Sequence, residues 1–201
     1  LEKNNILQNV DVKCISNMTN INNKFYNLLS KCKSVTIIAS VDSYGGANDY
    51  IRHPSHFDKI EHNLLALSEK KNINVSIIMS LQTLSMYNFS QYIGWVERIE
   101  KQFEKNGKNL GCSINRVQWP EPLDILNAPI KLKEKMLKDI ESNKINIHNK
   151  QFNKEITNIK KTLLQNLIDP KVDALKQFVA NIDASRNIKI TNYIPNFYNY
   201  L

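Results

Sequence analysis

The stretch Ser34-Val-Thr-Ile-Ile-Ala-Ser-Val-Asp42, followed by Ser43-Tyr-Gly-Gly-Ala-Asn-Asp-Tyr-Ile-Arg52-His-Pro-Ser55, decides how the chain reads. Val35 to Val41 is β-branched and apolar on both faces, which predicts a strand buried on both sides in a parallel sheet. The strand ends in polar Ser40 and Asp42, passes a Gly45-Gly46 loop and reaches Asp49-Tyr-Ile-Arg52 before a helix begins. Parallel α/β proteins present their ligand sites at such strand ends. Ser55, with Asp58 three residues on, predicts an N-cap and capping box for that helix, and Phe57, Ile60, Leu64 and Leu67 mark its inner face.

Working outward, Val10 to Ser16 alternates and predicts a strand, and apolar residues at Phe25, Leu28, Leu29 and Cys32 predict a helix after it. Asn72 to Ser80 predicts a third strand, a long helix follows from Phe89 to about Asn106-Gly107, and Leu110 to Trp119 predicts a fourth strand. Pro120 and Pro122 stop that strand, because proline cannot donate to a central ladder. Strand and helix alternate throughout, so the expected class is α/β, a partial (β/α) barrel, over residues 1–122. From 123 to 201 the patterns are helical: Ile130 to Ile140, Phe152 to Leu167 and Val172 to Ile182, with an aromatic tail from Tyr193 that should dock on the body.

A chain of 201 residues with 42% hydrophobic and 23% charged residues is expected to form a real core. No apolar run reaches the roughly 18 residues of a membrane span and no signal-peptide pattern opens the sequence, so no membrane partner is expected and the expected compartment is cytoplasmic. The net charge of +8 invites a nucleic-acid reading. Lysines alternate with acids, as in Glu134, Lys135, Lys138 and Asp139, which reads instead as solvated helix faces; nucleic acid is not the expected partner. Cys14, Cys32 and Cys112 are widely spaced and predict three buried free thiols, neither a disulfide framework nor a zinc site. His53, His56 and His62 flank a helix start and predict solvent-facing or capping roles.

The strand ends read Ser16-Asn17-Met18-Thr19, Ser40-Val41-Asp42, Ser80-Leu81-Gln82-Thr83 and Asn115-Arg116-Val117-Gln118. Hydroxyl, amide and carboxylate groups along one rim suit a ligand with sugar hydroxyls and an amino-acid end. No Ser-His-Asp set, nucleophile elbow, phosphate-binding loop or paired-carboxylate signature accompanies them.

The run Asn17-Met-Thr19, then Val35 to Asp42, then Asn48-Asp-Tyr-Ile-Arg52-His-Pro and the helix reaching Asn63 resembles the later half of radical S-adenosylmethionine (SAM) enzymes, in particular the twitch-domain-containing radical SAM proteins. Phe178-Val-Ala-Asn-Ile-Asp183-Ala-Ser-Arg186-Asn and the late Ile194-Pro195 are similar to that group's ending. Ser16 stands where the family has Thr, and Ser43 where it has Gly. The Cys-x3-Cys-x2-Cys loop that holds the [4Fe-4S] cluster and the Gly-Gly-Glu-Pro strand are absent, which the resemblance would place before Leu1. It thus implies a C-terminal portion of a longer enzyme whose cluster ligands, N-terminal half-barrel and electron donor lie elsewhere, acting on an unknown substrate. By position, Ser40 and Asp42 would contact the SAM ribose or methionine end, and Asn17 would line the neighbouring rim. Arg52 would pair with the SAM carboxylate or brace the loop. No catalytic side chain and no metal ligand is expected within this chain, and alone it should not cleave SAM. A half-barrel should also expose a sheet edge and an apolar flank. The alternative is a non-catalytic α/β binding or scaffold module without a redox site.

Overall fold

A computed structural model describes residues 6–21, 23–142, 147–165 and 172–201. Four strands, β1 (Asp11–Ser16), β2 (Ser34–Ser40), β3 (Ile73–Leu81) and β4 (Leu110–Arg116), form one all-parallel sheet in the order β1-β2-β3-β4. Between them run α1 (Asn23–Leu29), α2 (Gly46–Ile51), α3 (Phe57–Ser68) and α4 (Phe89–Lys105); α5 (Ile130–Ser142), α6 (Lys150–Gln165) and α7 (Val172–Arg186) follow. The class is therefore α/β, as expected. The predicted elements appear within a few residues of their expected bounds, and Leu167, placed in the α6 stripe, lies outside the described residues.

Sequential strand order with right-handed crossovers puts the connecting helices on one side of the sheet. The burial pattern agrees. Val35, Ile37 and Ala39 of β2 and Val75, Ile77 and Met79 of β3 are buried, whereas Thr36, Ile38, Ser76 and Ile78 are only half-buried. The expectation of a β2 covered on both faces is thus corrected. Its β-branched run is apolar on both sides, but among the described residues the helices cover one side. Ile15 of β1, 73% exposed, shows how open the other face is.

The two sheet edges differ. Beside β4, Glu155 of α6 accepts the Ile114 N–H at 2.5 Å and Asn149 donates its side-chain amide to the Leu110 carbonyl at 3.3 Å, so α6 satisfies an edge that would otherwise present bare backbone. Among the described residues β1 pairs only with β2. The aromatic tail docks: Phe197 is fully buried and its carbonyl accepts the Tyr87 hydroxyl at 2.9 Å. Leu132 and Met136 of α5, Phe152 and Leu163 of α6 and Phe197 join the same core cluster as the strands.

Three local expectations change. Residues 46–51, expected as loop, form the short α2; Gly45 starts it at φ 59°, a backbone region suited to glycine. A Cβ on Gly46 would lie 3.0 Å from the Tyr193 carbonyl oxygen, so a side chain there would require the tail backbone to give by a few tenths of an ångström. Ser55 does not cap α3, whose N-cap is His56 with no side-chain cap bond, because the Ser55 hydroxyl is committed to Asn48 and Asp49. Cys32 and Cys112 are buried free thiols as expected, but Cys14 is half-buried because β1 is the outermost strand. No helix among the described residues is long and apolar enough to cross a membrane.

Candidate ligand site at the strand ends

The rim at the carboxyl ends of β1, β2 and β3 is built from residues the chain folds tightly onto itself. At β1, Ser16 Oγ accepts the Met18 N–H at 3.0 Å and Asn17 Oδ1 accepts the Thr19 N–H at 3.2 Å. These two side-chain turns hold Met18 at φ 60°, buried. Asn63 of α3 donates to the Met18 carbonyl at 2.6 Å. Asn17 is exposed, with its oxygen engaged in its own turn.

Ser40 ends β2 in register with Ile78, on the sheet face that the crossover helices leave open. It is buried to 8% exposure, and its hydroxyl has no hydrogen-bond partner among the described residues. Asp42 is also buried and doubly engaged: Oδ1 accepts the Ser80 N–H at 2.8 Å and Oδ2 lies 2.8 Å from Arg52 Nε. The Arg52 N–H is not aimed along that line, so the contact is an ion pair rather than an aligned hydrogen bond. Arg52 thus pairs with Asp42 at the end of β2.

Behind the rim, the buried Asn48 accepts the Asp42 N–H at 3.0 Å and donates to Ser55 Oγ at 3.3 Å, and Ser55 donates to Asp49 at 3.0 Å. Burial raises the Asp49 carboxyl above its ordinary value, with Ser55, the Phe57 N–H and His56 only partly opposing it. Tyr92 of α4 lies behind Asp42 and Arg52; burial first, then Cys112 and Asp42, holds its hydroxyl neutral far into the alkaline range. Among the described residues, the buried hydroxyls of Ser43 and Tyr92 find no hydrogen-bond partner.

A clamp from the far end of the chain completes the rim. Tyr50 donates its hydroxyl to Asp183 Oδ1 at 2.8 Å, Asp183 Oδ2 accepts the Ile190 N–H at 3.1 Å, and Arg186 Nη1 donates to the Tyr50 carbonyl at 2.6 Å. Two stretches that carry the family resemblance, Asn48 to Pro54 and Phe178 to Asn187, are thereby in contact. Sequence reasoning singled out both but assigned no function to Asn48, Tyr50, Ser80, Asp183 or Arg186.

The rim fits a polar ligand in part. Ser40 offers an uncommitted hydroxyl and Asn17 an exposed amide, whereas Asp42 and Arg52 are largely occupied by each other and by Ser80. The side chains do not fit a [4Fe-4S] cluster. Cys14, Cys32 and Cys112 sit on β1, after α1 and on β4, and the described group of metal-ligand type, Glu100, Glu104 and His148, contains no thiolate. Both Glu100 oxygens already accept backbone N–H groups, of His148 at 2.9 Å and Asn149 at 3.2 Å, at the start of α6. Comparison with protein-family models, with curated proteins and with solved structures finds no match to this chain.

Proposed function

We propose that the chain is the C-terminal part of a radical SAM enzyme, a partial (β/α) barrel that supplies one wall of the SAM site, the cluster ligands lying on a preceding segment. The observation that carries the reading is the polar rim at the carboxyl ends of a parallel sheet wound in sequential order, open on one face. Such winding is that of a barrel segment rather than a doubly wound sheet, in which helices cover both faces. The closed β4 edge and the β1 edge without a further strand suit a barrel that ends at β4 and continues beyond β1. When bound, the cluster and SAM together would supply a 5′-deoxyadenosyl radical that abstracts hydrogen from a substrate.

The chain's own residues bind and orient. Ser40 donates or accepts at the ligand's ribose or methionine end, and the Asn17 amide lines the adjacent rim. Arg52, about a quarter exposed, keeps its outer nitrogens for a carboxylate while its Nε holds Asp42. Asp42 acts chiefly as a brace that ties β2, β3 and α2 into one edge. That bracing is also the observation that favours the second reading, a binding or scaffold module without redox chemistry.

The test is to read the coding sequence upstream of Leu1 and to express the longest frame that contains this chain. A Cys-x3-Cys-x2-Cys upstream, 5′-deoxyadenosine released from SAM by the reconstituted and reduced long protein, and loss of that release in Ser40→Ala would support the enzyme. A start codon adjacent to Leu1, or 5′-deoxyadenosine formed by the 201-residue chain alone, overturns it.

A further inference from the structure

A second concavity, of about 270 Å³, lies between the end of β4 and α6. Ile114, Ile125 and Ile159 form its apolar wall, and Arg116, Glu155 and Asn158 its polar one. Arg116 pairs with Leu81 in the sheet register and shares its side with buried Cys112 and Ile114. The cleft therefore belongs to the helix-covered side, away from the open face that carries Ser40 and Ser80.

The charges select the ligand. Arg116 Nε lies 3.4 Å from Asp124 Oδ1 but is buried with no aligned acceptor among the described residues, while the side chain is 30% exposed, so the guanidinium is paired in charge at Nε and presents its outer nitrogens toward the cleft mouth. Glu155 accepts the Ile114 N–H through Oε2 and the Gln151 amide through Oε1, which leaves each oxygen a second lone pair. A simple anion in the cleft would share it with the Glu155 carboxylate, and a simple cation would share it with Arg116. A molecule carrying both charges on neighbouring atoms meets each with its opposite, and the three isoleucines then take an aliphatic body. The volume suits a small molecule rather than a nucleotide.

We propose that this cleft binds a free α-amino acid with a branched aliphatic side chain, its carboxylate on Arg116, its ammonium on Glu155 and its side chain among Ile114, Ile125 and Ile159. The site does not depend on the radical SAM reading, since it faces the other side of the sheet.

The test uses the 201-residue chain in amide correlation spectra titrated with L-leucine, 4-methylpentanoate (no ammonium) and leucinamide (no carboxylate). Saturable shifts confined to the amides around Arg116, Asn158 and Ile159 are expected with L-leucine, and affinity about tenfold or more weaker for either analogue, because each leaves one charged partner unmet. Arg116→Gln should lose the binding. Asn158→Trp, a change at an exposed α6 position that fills the mouth, should lose it while leaving the remaining spectrum in place. No saturable shift with L-leucine, equal affinity for either analogue, or unaltered binding in Asn158→Trp would overturn the proposal.

Discussion

Arg52 Nε and Asp42 Oδ2 lie 2.8 Å apart at the end of β2, and the other Asp42 oxygen accepts the Ser80 N–H of β3 at 2.8 Å. One buried carboxylate thus ties two strands to α2. Asp42→Ala leaves both the Ser80 N–H and the Arg52 charge unmet. Breaking a fully buried pair costs roughly 3–5 kcal/mol. Arg52 is about a quarter exposed and water screens part of the loss, so about 2 kcal/mol is expected. Urea unfolding measures it, and a change below about 0.5 kcal/mol, the size of an ordinary surface substitution, would show that the pair does not brace the rim.

The Tyr50–Asp183 hydrogen bond joins residues 133 positions apart. Burial, and after it Asp183, raises the Tyr50 hydroxyl well above its ordinary value, so it remains a neutral donor throughout the physiological range. Tyr50→Phe and Asp183→Ala are each expected to destabilise by about 1 kcal/mol or somewhat more, and a double-mutant cycle should return a coupling of about 1 kcal/mol. Strictly additive effects would mean that the two groups do not act together.

His148 Nδ1 meets Glu104 at the protein surface, and this hydrogen bond and charge raise the imidazole above its ordinary value. A histidine whose folded value is raised favours the folded state fully below the ordinary value of about 6.5 and loses that contribution as pH rises through the folded value. A titration followed by NMR should show His148 deprotonating above the ordinary imidazole value, and Glu104→Gln should bring it down toward that value. A His148 midpoint that Glu104→Gln leaves in place would contradict the pairing.

The strands and the principal helices were legible because their signals are local. Val35 to Val41, the α3 stripe Phe57, Ile60, Leu64 and Leu67, and the α4 residues Ile93, Val96, Ile99 and Phe103 each carry the period of their element, and all but the open-face side of β2 are buried as expected. The candidate site was legible as a set of strand ends but not as a network. Polar residue types at the rim do not say which of them satisfy one another, and Asp42 and Arg52 largely do. The Ser55 cap failed for a related reason: a capping sequence is a competition for one hydroxyl, and Asn48 and Asp49 won it.

From the sequence alone came the parallel α/β class, the order of all elements but α2 and the docked tail, since periodicity needs only neighbouring residues, while the candidates Asn17, Ser40, Asp42 and Arg52 came from the family resemblance. Tertiary structure decided which sheet face stays open, how Glu155 of α6 closes the β4 edge, and how Asp183 and Arg186 hold α2. Those contacts join groups 41 to 136 positions apart, and no local pattern in the chain specifies which distant partner a buried polar atom will find.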